Sequence, residues 1–354
     1  MKKLGFAAGA ALLVSSAMVQ AGGIERTAQS VDIIFEEGTL AEFGVSYAMP
    51  SVTGVDPTAT ATGVMSPNYA SFTGAYKTDI GNKIGLAVIF DQPYGSLASY
   101  SAGFYNGTKA DLTSSAVTVV GSYDVSDRFM VYGGATYQSM TATAAVPAAG
   151  NYTINAASGS GTGFVAGAAY QIPDIAMRVA LTYRSSVTST HATIENSALI
   201  AANTAGSMSV TTPESFNLEF QTGVNPKTLV FGSIRWVNWS AFDLTPANYP
   251  GPGGSLINYT DDRVTFNLGV GRKLSDTLSA AVTVGYERDL GGASSALGPT
   301  DGFVSLGAGL TYTMGNTKIS GGAKYIWLGD TAGPAGTFSN NSALGLGVTF
   351  SIAM

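Results

Sequence analysis

The sequence predicts an all-β protein, a 14-stranded antiparallel transmembrane β-barrel with a short N-terminal plug segment. Three observations lead to this fold class. Apolar and polar residues alternate with a period of two in long segments along the whole chain. Charged residues make up only 11% of the 354 residues, against roughly 25% in an ordinary soluble domain. Short and long connections alternate between the segments, as the two ends of a bacterial membrane barrel require.

The clearest pair of segments is the hairpin at Ser215–Phe242. Phe216, Leu218 and Phe220 alternate with polar residues, a turn follows at Gly223–Pro226, and an apolar run then returns. Proline cannot lie inside a strand ladder, so the chain is expected to reverse there. Each strand has about ten residues, which is the length that a tilted strand needs to cross a bilayer.

The same pattern gives the other strands, and their total is even, as in bacterial barrels. With the two strands of the hairpin as the eighth and ninth, the predicted strands are Leu40–Met49, Asn68–Thr78, Lys83–Asp91, Leu112–Tyr123, Arg128–Thr141, Thr162–Gln171, Ile175–Val187, Tyr259–Lys273, Thr277–Asp289, Phe303–Thr313, Thr317–Leu328 and Ser342–Met354. The short connections hold three to five residues and the long ones 12 to 25. Two of the longest predicted loops are Ala142–Gly161 and Thr188–Thr212.

Three parts of the chain follow from this reading. Residues 1–21 have two lysines, an apolar core and small residues before the end, which predicts a signal peptide. Residues 22–38 are too short for a domain and fold inward as a plug or form a periplasmic tail; Phe35 is their candidate ligand contact. Residues 39–354 form the barrel, whose lumen is wider than that of an eight-stranded barrel filled by side chains.

Four arginines on the polar faces of the strands are candidate ligand contacts. Arg178, Arg184, Arg235 and Arg263 could hold a carboxylate head group by charge-assisted hydrogen bonds. The alternative is a network inside the lumen, in which these arginines pair with acidic residues. The expected acidic partners are Glu219, Asp261, Asp262 and Glu287.

Two features lie around the end of the third strand. Pro93, Tyr94 and Gly95 interrupt the strand ladder, so they either open the wall as a lateral gate or simply end the strand. Phe104 and Tyr105 are aromatic residues inside the following long loop, where they line an entry groove for a hydrophobic substrate or pack the loop itself.

Other chemistry finds little support in the sequence. The single histidine, His191, falls in a predicted long loop, and a Ser-His catalytic unit would need it on a strand facing a serine. One histidine and no cysteine exclude the common zinc clusters, and no cofactor motif is present. A net charge of −6 gives no indication of nucleic-acid binding.

Several motifs resemble the FadL-type outer-membrane transporters of long-chain fatty acids and hydrophobic compounds. They are the Ala180–Ser186 run ALTYRSS, the WVNWS motif at Trp236–Ser240, and the Tyr259–Arg263 run followed by Phe266–Gly271. The resemblance implies a 14-stranded barrel in the outer membrane of a Gram-negative bacterium, an N-terminal hatch in the lumen and a sideways exit near the third strand. The chain departs from that family in its short hatch without an Asn-Pro-Ala motif and in its last residue, Met354.

The expected function is passive uptake of hydrophobic compounds, with a general porin for small polar solutes as the alternative and a membrane enzyme as a third hypothesis. The expected partners are a hydrophobic small molecule, outer-membrane lipid, lipopolysaccharide and the outer-membrane assembly machinery. We expect a monomer with no cofactor.

Overall fold

The computed structural model describes residues 23–251, 254–291 and 295–354, so the predicted signal peptide lies outside the described residues. The chain forms a closed antiparallel barrel of 14 strands. The strands are β1 (Leu40–Ser51), β2 (Tyr69–Ile80), β3 (Ile84–Asp91 and Gly95–Ser99), β4 (Lys109–Ser126), β5 (Phe129–Val146), β6 (Tyr152–Ile172), β7 (Met177–Arg184 and Val187–Asn196), β8 (Thr204–Thr212 and Ser215–Asn225), β9 (Thr228–Val237), β10 (Arg263–Lys273), β11 (Leu278–Glu287), β12 (Phe303–Met314), β13 (Thr317–Leu328) and β14 (Ser342–Ala353).

Smaller elements lie outside the barrel wall. Short strands pair within the loops at Gly54–Val55, Thr331–Gly333 and Gly336–Phe338, and at Asp243–Leu244 and Ile257–Asn258. Single 3-10 turns occur at Asp32–Phe35, Pro147–Ala149, Pro173–Ile175 and Trp239–Ala241. Within the described ranges, no helix has the length and apolar character needed to cross a membrane.

The barrel closes between the first and last strands. β1 pairs with β2 on one side and with β14 on the other, and Phe43 lies opposite Phe350 on the outer face. Along β14, Leu346, Val348 and Phe350 are exposed while the residues between them face the interior. Closure leaves no unpaired strand edge, which hydrocarbon could not satisfy. The predicted all-β barrel and its strand number are therefore confirmed.

Several strands extend further into the predicted long loops than the sequence indicated. β5 continues to Val146 and β6 begins at Tyr152, inside the predicted loop Ala142–Gly161. The predicted loop Thr188–Thr212 is largely a hairpin, in which Val187–Asn196 pairs with Thr204–Thr212. These segments are rich in Ser, Thr and Ala. They lack the strong apolar contrast of a lipid-facing strand, although threonine favours the pleated sheet.

The ninth strand is shorter than predicted. It ends at Val237 rather than Phe242, and the turn at Trp239–Ala241 redirects the chain. Trp239 and Phe242 are each only 1% exposed. An aromatic run predicted as strand is thus folded into the outer end of the barrel.

The third strand is interrupted and then resumes. Its first part pairs with β2 up to Phe90 and with β4 up to Asp91, but its second part, from Gly95, pairs only with β4. The start of β2, at residues 69–73, therefore lacks a strand partner on the side of β3. The ladder is thus interrupted around Pro93, and the strand resumes at Gly95.

Residues 23–38, called the N-terminal segment below, run along the inner face of the wall. The segment forms a bridge between Glu25 and Tyr94, where the backbone N–H of Arg26 donates to the Pro93 carbonyl at 2.8 Å. Ile24 and Val31 are buried at 0% and 1% exposure. The segment then makes the 3-10 turn at Asp32–Phe35 and enters β1.

Candidate functional site

The barrel interior contains a polar layer in which wall arginines hold the N-terminal segment. Arg184 on β7 donates from Nε and Nη2 to the carbonyl of Gln29, at 3.0 and 2.7 Å. Arg178 pairs with Asp32 at 3.2 Å, and its guanidinium lies 4.0 Å from the ring centre of Phe35. Two of the predicted ligand contacts are thus engaged with residues of the chain itself.

Arg235 on β9 makes the most extensive of these contacts. Its guanidinium pairs with Glu25, and its Nη1 also donates to Ser215 at 3.1 Å and to Asn217. Asn217 in turn donates to the Ala28 carbonyl at 3.0 Å. Arg235 is 3% exposed, so the ion pair is removed from water. A buried cation needs such a partner because its desolvation is costly.

The fourth predicted arginine lies elsewhere. Arg263, at the outer end of β10, pairs with Asp301 in the loop before β12. Asp301 also accepts backbone N–H groups of Leu290 and Gly291, at 3.0 and 2.8 Å. This cluster ties two outer connections together. The expected acidic partners of the four arginines were wrong in identity: the ion pairs use Asp32, Glu25 and Asp301 instead.

Phe35 contacts the wall at the end of the N-terminal segment. Its ring meets Tyr132 of β5 edge to face, with 5.8 Å between the ring centres. Below it, Lys77 of β2 donates to the carbonyls of Glu36 and Gly38. The segment is therefore held at both of its ends by inward-facing side chains.

The outer half of the interior is apolar. Buried side chains from the loops and from the upper strands form one continuous hydrophobic cluster that includes Tyr105 at the surface and Ile24 at the N-terminal segment. Tyr94, Trp239 and Phe242 lie in the same cluster, and the rings of Tyr94 and Trp239 are 6.0 Å apart. The cluster thus extends without interruption from the loops to the N-terminal segment.

The two predicted loop aromatics differ in exposure. Phe104 is 51% exposed, whereas Tyr105 is 9% exposed, and their ring centres are 5.2 Å apart. Tyr105 also contacts the ring of Tyr100 at 5.1 Å. Burial raises the pKa of the Tyr100 phenol, whose hydroxyl donates to the Ala296 carbonyl at 2.6 Å. An uncharged aromatic surface thus lies at the outer mouth.

A cavity of about 100 Å³ separates the N-terminal segment from the wall of β1, β2, β3 and β14. Its polar lining includes Asp32, Glu42, Thr73, Asp91 and Thr349. Asp91 accepts a hydrogen bond from the hydroxyl of Thr27 at 3.0 Å. In contrast to the outer cluster, this inner side of the segment is rich in carboxylates.

The position of His191 corrects a prediction. The residue lies on the second part of β7 with 1% exposure, not in an exposed loop. Its Nε2 is 2.8 Å from the hydroxyl of Ser189, and its Nδ1 is 2.9 Å from the Ala157 carbonyl. The Ser-His pair of a hydrolase is present in outline. Ser189 is only 3% exposed, however, so a substrate carbonyl has no access to its hydroxyl.

The break in β3 is held by side chains and by the backbone bridge to the N-terminal segment, in place of a ladder to β2. Tyr94 is 3% exposed, and its backbone N–H and carbonyl both bond to the Ser114 hydroxyl at 2.8 Å. Its phenol accepts a hydrogen bond from Gln29 at 3.1 Å. On the side of β2, the backbone N–H of Phe72 donates to the Gln92 side chain at 2.9 Å. These contacts join the break to β4, to the N-terminal segment and to β2.

Sequence reasoning missed Glu25, Arg26, Lys77 and Trp239 as residues of this interior. The adjacent charged residues Glu25 and Arg26, in an N-terminal segment that also contains isoleucines, could have indicated that this segment faces a polar lumen. Lys77 ends an otherwise uncharged stretch of β2. The acidic and basic partners come from distant parts of the chain, so their pairing has no local signature.

Comparisons with known proteins agree with this architecture. The family model "Outer membrane protein transport protein (OMPP1/FadL/TodX)" matches residues 24–332. A FadL homologue of Pseudomonas aeruginosa superposes with a TM-score of 0.73 at 14% identity, covering 96% of this chain and 97% of the other. The toluene transporter TodX of P. putida gives 0.68 at 11% identity, covering 96% and 99%. The toluene transporter TbuX of Ralstonia pickettii gives 0.65 at 14% identity, covering 90% of each chain. No protein among the curated sequences matches this chain.

Proposed function

Since the chain belongs to the family of outer membrane transport proteins (OMPP1/FadL/TodX), we propose that it is a passive channel that admits small hydrophobic compounds across the outer membrane. The observation that carries this proposal is the continuous apolar cluster in the outer half of the barrel. A general porin has a polar, water-filled lumen. A lumen whose outer half is apolar favours non-polar cargo such as fatty acids or aromatic hydrocarbons.

The route begins at the loops. Phe104 supplies an exposed aromatic surface on which a hydrophobic molecule first adsorbs, and Tyr105 passes it to the buried cluster below. Apolar burial contributes about 25 cal/mol for each Å² removed from water, so no energy source is needed for capture. Transport then follows the concentration gradient.

The N-terminal segment acts as a plug that blocks free diffusion of water and ions. Its support is the set of contacts that Arg178, Arg184 and Arg235 make with residues 25–32. In this role the arginines fix the plug, and the direct ligand contacts of the route are Phe35, Phe104 and Tyr105. Arg263 fixes the outer connections through Asp301.

The exit of the cargo is lateral, through the break at Pro93, Tyr94 and Gly95. The supporting observation is that the start of β2 and the second part of β3 do not pair with each other. Opening this break requires the loss of side-chain contacts and of the short backbone bridge to the N-terminal segment, but not of a ladder between β2 and β3. The protein works as a monomer in contact with lipid and lipopolysaccharide after insertion by the outer-membrane assembly machinery.

Two measurements on the purified protein test the proposal. In proteoliposomes, uptake of a radiolabelled long-chain fatty acid or of toluene is expected to exceed that of empty vesicles. In planar bilayers, the wild-type protein is expected to pass little steady ion current, because the plug is in place. A large steady current without uptake of either probe would instead identify a general porin.

A further inference from the structure

The loop between β9 and β10 carries a strap at the outer mouth, defined here as residues 243–251. Leu244 belongs to the outer hydrophobic cluster with 3% exposure, and Tyr249 packs against the same cluster. Burial first, and then the nearby Asp56 and Tyr249, raise the pKa of the Tyr105 phenol. The strap therefore lies beside Tyr105 and covers part of the apolar cluster where the proposed route enters it.

A buried carboxylate of the wall holds the strap. Glu195, near the outer end of β7, is 0% exposed. Its Oε2 accepts hydrogen bonds from the backbone N–H of Asn248 at 3.0 Å and from the Tyr152 hydroxyl at 2.8 Å. Its Oε1 accepts from the Thr193 hydroxyl at 3.2 Å and from Nδ2 of Asn248 at 3.3 Å. Four donors from β6, β7 and the strap thus converge on one carboxylate, which is called the latch below.

The latch is a polar contact at the edge of the apolar cluster. Tyr152 belongs to that cluster with 0% exposure, and its ring lies 5.0 Å from the ring of Tyr249 on the strap. No arginine or lysine in the described ranges forms an ion pair with Glu195. A buried carboxylate without a cation is costly unless hydrogen-bond donors surround it. Two of its four donors leave with the strap, so water must reach the carboxylate whenever the strap lifts.

The strap has little other backbone attachment to the barrel. Its base is fixed where Asp243–Leu244 pairs with Ile257–Asn258. Within the described residues, the N–H of Asn248 makes the one backbone hydrogen bond that joins residues 245–251 to a barrel strand. Release of the latch therefore frees these residues while the strands of the barrel keep their ladders.

From this geometry we propose that the strap is an entry lid for the hydrophobic compound and that Glu195 latches it. This inference rests on the proposed channel function. With the latch engaged, the strap shields the part of the cluster that Leu244 and Tyr249 contact. When the latch is released, a hydrophobic compound replaces the apolar contacts that the strap loses, which favours the open lid. A polar solute offers no such replacement and leaves the lid closed.

Hydrogen exchange tests the latch independently of transport. In Glu195→Gln, one carboxylate oxygen becomes an NH2 group that faces only donors, so exchange of residues 243–251 should accelerate about tenfold, the effect of one lost charge-assisted hydrogen bond. The control is Glu214→Gln, at a site outside the strap. Glu214 also accepts from a tyrosine and an asparagine, namely Tyr183 at 2.7 Å and Asn238 at 3.4 Å. Equal exchange of the strap in Glu195→Gln and in the wild type overturns the latch.

An engineered disulfide tests the role of the strap in entry. The sequence contains no cysteine, and a Cβ atom at Gly206 of β8 would lie 4.0 Å from Nδ2 of Asn248, close enough for a disulfide. In the double variant Gly206→Cys, Asn248→Cys, oxidation ties the strap to the wall and reduction frees it. In proteoliposomes, the oxidised protein should take up radiolabelled toluene at less than about a tenth of the rate of the reduced protein. Each single-cysteine variant should show no such dependence on oxidation.

The outcomes separate the lid from the channel function. Equal uptake by the oxidised and reduced double variant overturns the role of the strap as a lid. Glu195→Gln is expected to take up toluene at least as fast as the wild type, and slower uptake contradicts the proposal. If the wild-type protein takes up no toluene above empty vesicles, the proposed function fails, whereas hydrogen exchange still decides whether Glu195 holds the strap.

Discussion

Removal of the Glu25 carboxylate is expected to release the N-terminal segment from the wall. In Glu25→Ala, Arg235 keeps the hydrogen bonds of its Nη1 to Ser215 and Asn217 but loses the partner of Nε and Nη2. Arg235 is 3% exposed, so water does not replace the carboxylate while the segment stays docked. The docked state therefore contains a partly unpaired buried cation.

The size of the effect follows from this geometry. Removal of one member of a buried ion pair costs about 3–5 kcal/mol. Because two hydrogen bonds of Arg235 remain, the lower end of that range applies here. A cost of about 3 kcal/mol raises the ratio of undocked to docked segment about a hundredfold. The barrel itself keeps its strand ladder, so the change concerns the segment and not the fold.

Single-channel recording in planar bilayers measures this release as more frequent openings with larger ion current. Asp276→Ala serves as the control, since it breaks the exposed pair with Lys273 at 3.1 Å, worth less than about 1 kcal/mol. The double variant Glu25→Ala, Arg235→Met removes both charges and is expected to return most of the way to the closed behaviour. If Glu25→Ala conducts like the wild type, the ion pair does not hold the segment and the reasoning fails.

Three further outcomes are expected. Gly134→Ala should lower the free energy of unfolding by about 1–3 kcal/mol, because the added Cβ would overlap the Val119 carbonyl. Gly121→Ala is the control, since the nearest atom to its added Cβ lies at 3.9 Å and no such loss is expected. Urea unfolding in liposomes measures both variants. His191→Ala should cost about 2–4 kcal/mol in the same assay without changing uptake, and lost uptake would give His191 a functional role. Burial raises the pKa of Asp56, but hydrogen bonds from the backbone N–H of Phe104 in the next loop and from backbone and hydroxyl groups of Thr58 and Thr60 outweigh this and lower it to about 2 from 3.8. The stabilisation that Asp56 gives the loop is thus present above pH 3.8 and lost as the pH falls towards 2; peptide-level hydrogen exchange of residues 54–62 should show this in the wild type and not in Asp56→Asn.

Much of the barrel wall could be predicted because lipid imposes a simple rule on each strand. The ends of β13 agree with the prediction at both residues, and β14 differs only by its last residue. Tyr325 and Trp327 on β13 are 41% and 49% exposed on the outer face. Each lipid-facing position must be apolar whatever the rest of the chain does, so local alternation carries the information.

The strands above the membrane could not be recognised in the same way. At Tyr152–Gly161 and at Val187–Asn196 the outward residues face water, so serine and threonine serve on both faces. The contrast that marks a lipid-facing strand is then missing. Consequently His191 was predicted in a loop although it is buried on a strand.

The interior site was predicted only in its residue types. Arg178, Arg184 and Arg235 were recognised as inward-facing charges, but their partners are residues of the N-terminal segment more than a hundred positions away. Arg26 was not recognised at all. Whether a charged side chain has a partner depends on what the closed barrel brings next to it, and no spacing in the sequence encodes that.

The sequence by itself determined the closed barrel, the number of its strands and the face that each strand gives to lipid, because every one of these follows from local alternation and from the need to satisfy backbone hydrogen bonds in hydrocarbon. Only the tertiary structure decided how the interior is divided. It placed the apolar cluster of Tyr105 and Trp239 above the N-terminal segment and the carboxylates below it. It also left Nε and Nη2 of Arg26 without a hydrogen-bond partner among the described residues.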